Sequence, residues 1–385
     1  MGKRAALVAR REAMGFTQES LAHRLGVEVS TVNRWETGKI TPRPQRRQQI
    51  AAALDVSLTE LDSLLTPPTP VPSSEQPHLT PLNPLRRAHE WLVADSPVAE
   101  QRRAGRRFGG SLADSLEARV VELRHLDDVV ESVDLLPAIR HELAGAESLV
   151  REGLYADLVG RRLFTAAAEL AQLAGWVASD AGLHDEAQRF YLDGASAAAE
   201  VGNDPLAAQL FSSLSYQLAN EGDPRDALLL ARTAATGAAD ASPVVRALLW
   251  ERVAWAGAKA ADRETTLRAL DAVDDAYERR SAEIEEPEWV YWLNRAEIDV
   301  MAGRCLIHLG APERAAPLLS AAIATYPREH AREVALYLSW LAESYARTGA
   351  LDAAQATLDS AHNYATRMPS ARTTERLRTV EALTR

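Results

Sequence analysis

Three observations on the sequence predict an all-α fold. Hydrophobic residues make up 46% of the chain but aromatic ones only 6%, and alanine is abundant. That composition suits helices packed at short range better than a sheet built from β-branched side chains. Helix-start and helix-stop chemistry recurs along the chain. In the C-terminal half, turn residues are followed and preceded by small side chains at fixed offsets.

The first helix spans about Arg4 to Met14 and ends at Gly15. Thr17 then N-caps a second helix, its hydroxyl free to accept from an unpaired first-turn N–H, with Phe16 and Leu21 as a hydrophobic staple. Ala22 and Leu25 continue the apolar face until Gly26, which accepts positive φ without steric cost. A third helix runs from about Val29 to Glu36, stapled by Val27 and Val32, with Gly38 just past its end. A two-proline loop leads to a fourth helix, about Pro44 to Leu54, with Ile50, Ala53 and Leu54 inward. The capping box Ser57 to Glu60, stapled by Val56 and Leu61, opens a fifth.

Two short helices around a Gly-containing turn make a helix-turn-helix. The second of them has Ser30, Thr31, Asn33, Arg34 and Thr37 on one side and Val32 and Trp35 on the other. A major-groove reader needs that division. The run from Leu7 to Pro42 resembles the lambda-repressor/Cro-like (XRE) helix-turn-helix family. The TQ–SLA–LG run, the ST–RWE–G run and Arg11 carry the likeness. Glu28 departs from it, standing where a Ser or Thr cap is usual, and Val29 opens the recognition helix where a polar residue is common. The resemblance implies double-stranded DNA as partner. Val29, Ser30, Thr31, Asn33 and Arg34 would face bases, and Gln18, Lys39 and Arg43 phosphates. It also implies an ion pair between Arg11 and Glu36.

Residues 66–84 hold seven of the nineteen prolines and read as a semi-extended linker between a domain at 1–65 and a helical region at 85–385. In that region, turn glycines Gly182, Gly222, Gly310 and Gly349 lie 40, 88 and 39 residues apart, and Ala261–Asp262 marks a unit inside the long gap. Seven residues before each turn stands a small side chain: Gly175, Ser215, Ala254, Gly303 and Ala342. Five after it stands Ala187, Ala227, Ala315 or Ala354, with Thr266 in the odd unit, and twelve after it Gly194, Ala234, Ala322 or Ala361. The pattern resembles the tetratricopeptide (TPR) repeat, stretched from the usual length to near 40 residues. Residues 111–160 read as degenerate leading units and about 371–383 as a capping helix. The resemblance makes the region an α-solenoid. One position after each small central residue, its concave face would carry Trp176, Tyr216, Trp255, Arg304 and Glu343, with Gln172, Asn220, Glu251, Arg252, Asn294 and Glu297 as polar neighbours. Aromatics and amides of this kind suit a peptide, small-molecule or protein effector. The segment Pro287 to Glu297, with two more tryptophans, would close one end of the groove.

The whole chain carries a net charge of −11, but residues 1–65 hold ten Lys and Arg against seven Asp and Glu, so a basic module is joined to an acidic body. The lone Cys305 reads as a small buried residue. The nine histidines lack metal-ligand spacing, no Gly-rich phosphate loop occurs, and no run is apolar enough to be a signal peptide or membrane span. The expectation is a non-enzymatic cytoplasmic regulator without cofactor or metal, dimeric on a palindromic operator, whose repeats sense an effector. A constitutive DNA binder whose repeats only dimerise, or an interaction scaffold, is the alternative.

Overall fold

The computed structural model of this chain describes residues 4, 7–8, 10–11, 14–37, 39–42, 44–54, 56–57, 61, 65, 83–94, 106–107, 109–154, 156–327, 330–367 and 371–384. Arg43, Gly38, Glu60 and the proline-rich stretch 66–82 lie outside them. The described residues contain seventeen α-helices, one short 3-10 turn at Glu288–Val290, and a two-residue parallel pairing of Arg106–Arg107 with Gly153–Leu154. The chain divides into two compact units, Met1–Pro81 and Leu82–Arg385.

In the first unit, residues 7–8 and 10–11 are helical, followed by α1 (Gln18–Leu25), α2 (Val29–Glu36) and α3 (Pro44–Leu54). Thr17 caps α1: its hydroxyl accepts from Ser20 N at 3.1 Å, and the Ser20 hydroxyl accepts in turn from Thr17 N at 2.8 Å. Gly26 closes α1 with φ of +61°, a conformation costly for any other L-residue. Leu21, Leu25, Val32, Trp35, Ile50, Leu54 and Leu61 bury together, with Phe16, Val27 and Val56 half-buried against them. A helix-turn-helix therefore rests on a small apolar core.

The second unit opens with α4 (Pro84–Val93), capped by Asn83, then α5 (Gly110–Asp127) and α6 (Ser132–Glu152). Five antiparallel hairpins follow: α7 (Asp157–Asp180) with α8 (His184–Glu200), α9 (Asp204–Glu221) with α10 (Pro224–Gly237), α11 (Pro243–Lys259) with α12 (Arg263–Glu278), α13 (Arg295–His308) with α14 (Pro312–Ile323), and α15 (Ala331–Arg347) with α16 (Leu351–Ala365). The helix α17 (Ala371–Thr384) packs on α15 and α16. The first helices of successive hairpins pack side by side, α7 on α9, α9 on α11, α11 on α13 and α13 on α15. This is a TPR-like stack, and its inner row is built from these five helices.

Small residues set the close approach within hairpins. A Cβ on Gly175 of α7 would stand 2.5 Å from the Tyr191 ring of α8, and one on Gly303 of α13 2.8 Å from Leu319 of α14. Gly182, Gly310 and Gly349 turn the chain with positive φ, whereas Gly222 does not, its φ being −130°. Ala261 holds the left-handed conformation at φ +57° in the unit that lacks a turn glycine.

Candidate functional site

The exposed side of α2 presents Ser30, Asn33 and Arg34 to solvent, with Val29 39% exposed, Thr31 half-buried and Lys39 exposed just beyond the helix. Opposite them Val32 and Trp35 enter the core at 1% and 5% exposure, because a period of 3.6 residues puts them on one stripe. Arg43 lies outside the described residues. Glu28, at the N-cap of α2, makes no capping hydrogen bond through its side chain.

Buried polar contacts hold this helix in place. Arg11 donates through Nε to Glu36 Oε1 at 2.6 Å and through Nη1 to the Phe16 carbonyl at 2.6 Å. Gln18 donates to Glu36 Oε2 at 2.6 Å, so Glu36 joins α2 to α1 and to the N-terminal helix at once. The Gln18 amide, expected at a phosphate, is thus engaged by a carboxylate. Arg4, read from sequence only as a helix start, is buried and donates to the carbonyls of Trp35 and Ile40 at 2.9 Å each and to Thr41 Oγ1 at 2.8 Å. Arg46 donates to the Leu25 carbonyl and Arg47 to that of Pro42, so part of the basic cluster fastens loops.

In the second unit a cavity of about 350 Å³ opens among the inner helices, lined from α5, α7, α9, α11, α13, α15 and the segment 289–294. Gln172, Trp176, Tyr216, Glu251, Asn294 and Arg304 of the sequence reading all line it. Two expected residues do not. Asn220 is exposed and donates to the Tyr216 carbonyl one turn back. Trp255 is 1% exposed, a core residue rather than a groove residue, edge-on to Trp340 and His308, with the Arg304 guanidinium 4.2 Å over its ring. The predicted ladder exists, with Trp176 to Tyr216 at 6.0 Å and Tyr216 to Trp255 at 6.2 Å between centroids, but it runs inward from the cavity wall into the core. Asn294 also serves the fold, since its Oδ1 accepts from Glu297 N at 3.1 Å to cap α13 and its Nδ2 donates to the Trp292 carbonyl.

The cavity wall is heavily charged. Arg332 reaches Asp127 Oδ1 at 3.6 Å, Asp180 Oδ2 at 3.8 Å and Glu333 Oε1 at 3.3 Å, and donates to the Asp127 carbonyl at 2.7 Å. That cluster ties α15 to the ends of α5 and α7 across 205 residues of chain. Arg124 pairs with Glu169 at 2.7 Å and with Glu288, and Tyr291 donates to Asp128 at 2.6 Å, so the segment after α12 closes over α5. Burial pushes Asp127 up to about 6 despite Arg332, and Glu251 up to about 7 despite Arg252 at 3.1 Å. Glu297 is raised by burial as well, although the hydroxyls of Tyr326 and Tyr337 donate to it. Cys305 is buried as expected, its thiol pushed up to about 12. Sequence reading missed Arg124, Asp127, Tyr326, Arg332 and Tyr337, which come from helix ends and from units far apart in the chain. Among the described residues no group of three or more His, Cys, Asp or Glu is placed to hold a metal ion, and no helix is long and apolar enough to cross a membrane.

Residues 7–61 match the family model described as Helix-turn-helix. A solved structure of a Rap protein complexed with competence and sporulation factor is similar in fold at a TM-score of 0.44 and 12% identity, over 66% of this chain and 77% of that one. No curated protein matches the chain.

Proposed function

We propose that this chain is a DNA-binding transcription regulator whose helical-repeat unit takes an effector in its inner cavity. The observation that carries the reading is α2: hydrogen-bonding side chains and one arginine on its open face, held rigid from behind by the buried Arg11–Glu36–Gln18 contacts. Ser30, Asn33 and Arg34 read base edges, Val29 touches a thymine methyl, and Lys39 and Arg43 meet phosphates. One unit of this size spans few base pairs, so two chains act together on a palindrome, the acidic helical unit supplying the dimer contact. The cavity supports effector binding because it combines aromatic walls with several buried charges, an arrangement costly to maintain for stability alone.

Duplexes selected from a random pool test the DNA half. Arg34→Ala should weaken binding by about 1–3 kcal/mol and relax preference at one base pair, while Lys39→Ala should weaken all duplexes alike. Identical behaviour of the two variants would remove the assignment. For the cavity, small molecules released on denaturing freshly purified protein are identified by mass spectrometry and returned to the DNA-binding assay. A bound compound that leaves operator affinity unchanged would refute the effector role.

A further inference from the structure

We propose that the cavity of the helical-repeat unit binds a compact ligand through a protonated amine seated on the carboxylates of Glu251 and Glu297. The inference rests on the effector reading and specifies its chemistry.

The charge inventory of the wall carries it. Four arginines line the cavity, and three of them, Arg124, Arg252 and Arg332, are already in ion pairs with carboxylates. Arg124 is held by Glu169 and Glu288, and Arg332 by Asp127, Asp180 and Glu333. Arg252 is paired with Glu251 and lies 4.7 Å over the Tyr216 ring. Arg304 donates to the Tyr216 hydroxyl at 2.9 Å and packs its guanidinium against Trp255 and Trp340. The carboxylates are not matched in the same way. Among the described residues no Lys, Arg or His side chain lies within 4 Å of the Glu297 carboxylate, which is held by two tyrosine hydroxyls alone. Glu251 is 3% exposed, and its Oε2 has no hydrogen-bond partner. A buried carboxylate that lacks a cation, as Glu297 does, or keeps an oxygen unsatisfied, as Glu251 does, is costly, and a ligand cation lowers that cost on binding. The raised proton affinities of both groups point the same way, since burial makes each take up a proton more readily than an exposed carboxylate does.

The surroundings fit an amine. The rings of Trp176, Tyr216 and Trp292 line the same space, offering apolar cover for whatever carries the ammonium group. A volume of about 350 Å³ is at the small end of ligand cavities and holds a small amine or a peptide of a few residues, not a long peptide laid full length. Both sources share one chemistry, a free –NH₃⁺.

The test uses the full chain at neutral pH and reads tryptophan fluorescence, because Trp176 and Trp292 line the cavity. Probes are phenylalanyl di- and tripeptides with a free N-terminus, their N-acetyl counterparts, phenethylamine, and its neutral analogue phenylethanol. The proposal expects saturable binding of free-amine probes, and binding at least about tenfold weaker for the acetylated or neutral partner. Preference for the peptides over phenethylamine would assign the source as a peptide N-terminus, and the reverse a small amine. Glu297→Gln removes the charge but keeps an oxygen for Tyr326 and Tyr337, and should weaken free-amine binding about ten- to a hundredfold without lowering the melting temperature. Glu251→Gln provides a second variant with the same expected direction. Equal binding of acetylated and free probes, insensitivity to both variants, or no saturable change with any amine would overturn the proposal. If instead amines bind as expected but operator affinity does not respond, the effector reading fails and the amine site stands.

Discussion

Replacing Glu36 by glutamine tests how the recognition helix is held. Glu36 is 4% exposed, and Arg11 beside it 6%. In the parent, both carboxylate oxygens are occupied, one by Arg11 and one by Gln18, each at 2.6 Å. The glutamine keeps one acceptor, but its –NH₂ faces another donor, and the buried Arg11 loses the Glu36 carboxylate it is paired with. Breaking a buried pair in this way costs about 3–5 kcal/mol. A small domain has only about 5–15 kcal/mol in all, so much of the first unit's stability would go. The helical-repeat unit has its own core, so denaturant titration should show an early transition for the first unit moving to lower concentration while the later one holds. The double variant Arg11→Met with Glu36→Leu should recover most of the loss, since well-packed apolar substitutes for a buried pair are often neutral or better. The reasoning is refuted if Glu36→Gln unfolds within about 1 kcal/mol of the parent, or if the double variant is no more stable than the single one.

Other outcomes follow from the second unit. Trp255→Ala should cost about 3–5 kcal/mol of stability, because the ring is fully buried and also supports Arg304; a melt close to the parent would return it to the groove. Ala261→Gly should stabilise by about 0.5–1 kcal/mol, relieving a left-handed alanine at some entropic cost, and a lower melting temperature would contradict this. Asp127 and Glu251 bind protons more tightly folded than unfolded, so their destabilising effect is present above their folded values of about 6 and 7 and fades as pH falls toward the ordinary carboxylate range. The helical unit should therefore melt higher at pH 5.5 than at pH 7.5, by an amount on the order of 2 kcal/mol for Glu251 alone, and Glu251→Gln should flatten the profile.

The local parts of this fold were legible in the sequence because local chemistry determines them. Thr17, Gly26 and the Val32–Trp35 stripe announce α1 and α2, and a glycine, alanine or serine at each central hairpin position announces where two backbones must approach. What remained hidden is non-local. Nothing in the spacing of Asp127 and Arg332 says that helices 205 residues apart in sequence meet across the cavity. Trp176 and Trp255 occupy equivalent repeat positions, and the repeat pattern treats them alike. Only the third dimension separates them, because Arg304, His308 and Trp340 cover the second ring and leave the first on the wall. Asn294 lines the cavity as expected, but its second role stayed hidden for a related reason: an amide beside a groove and an amide at a helix start look the same until the helix boundary is known.

The central claim is that the open face of α2 reads DNA. Repeated selection of full-length chain on random duplexes, followed by sequencing, tests it most directly. The account predicts enrichment of a palindrome with half-sites about one helical turn, or a multiple, apart, and loss of preference at one position of each half-site in Arg34→Ala. A selected pool no different from the starting pool, at a salt concentration where the duplex is retained, would contradict it.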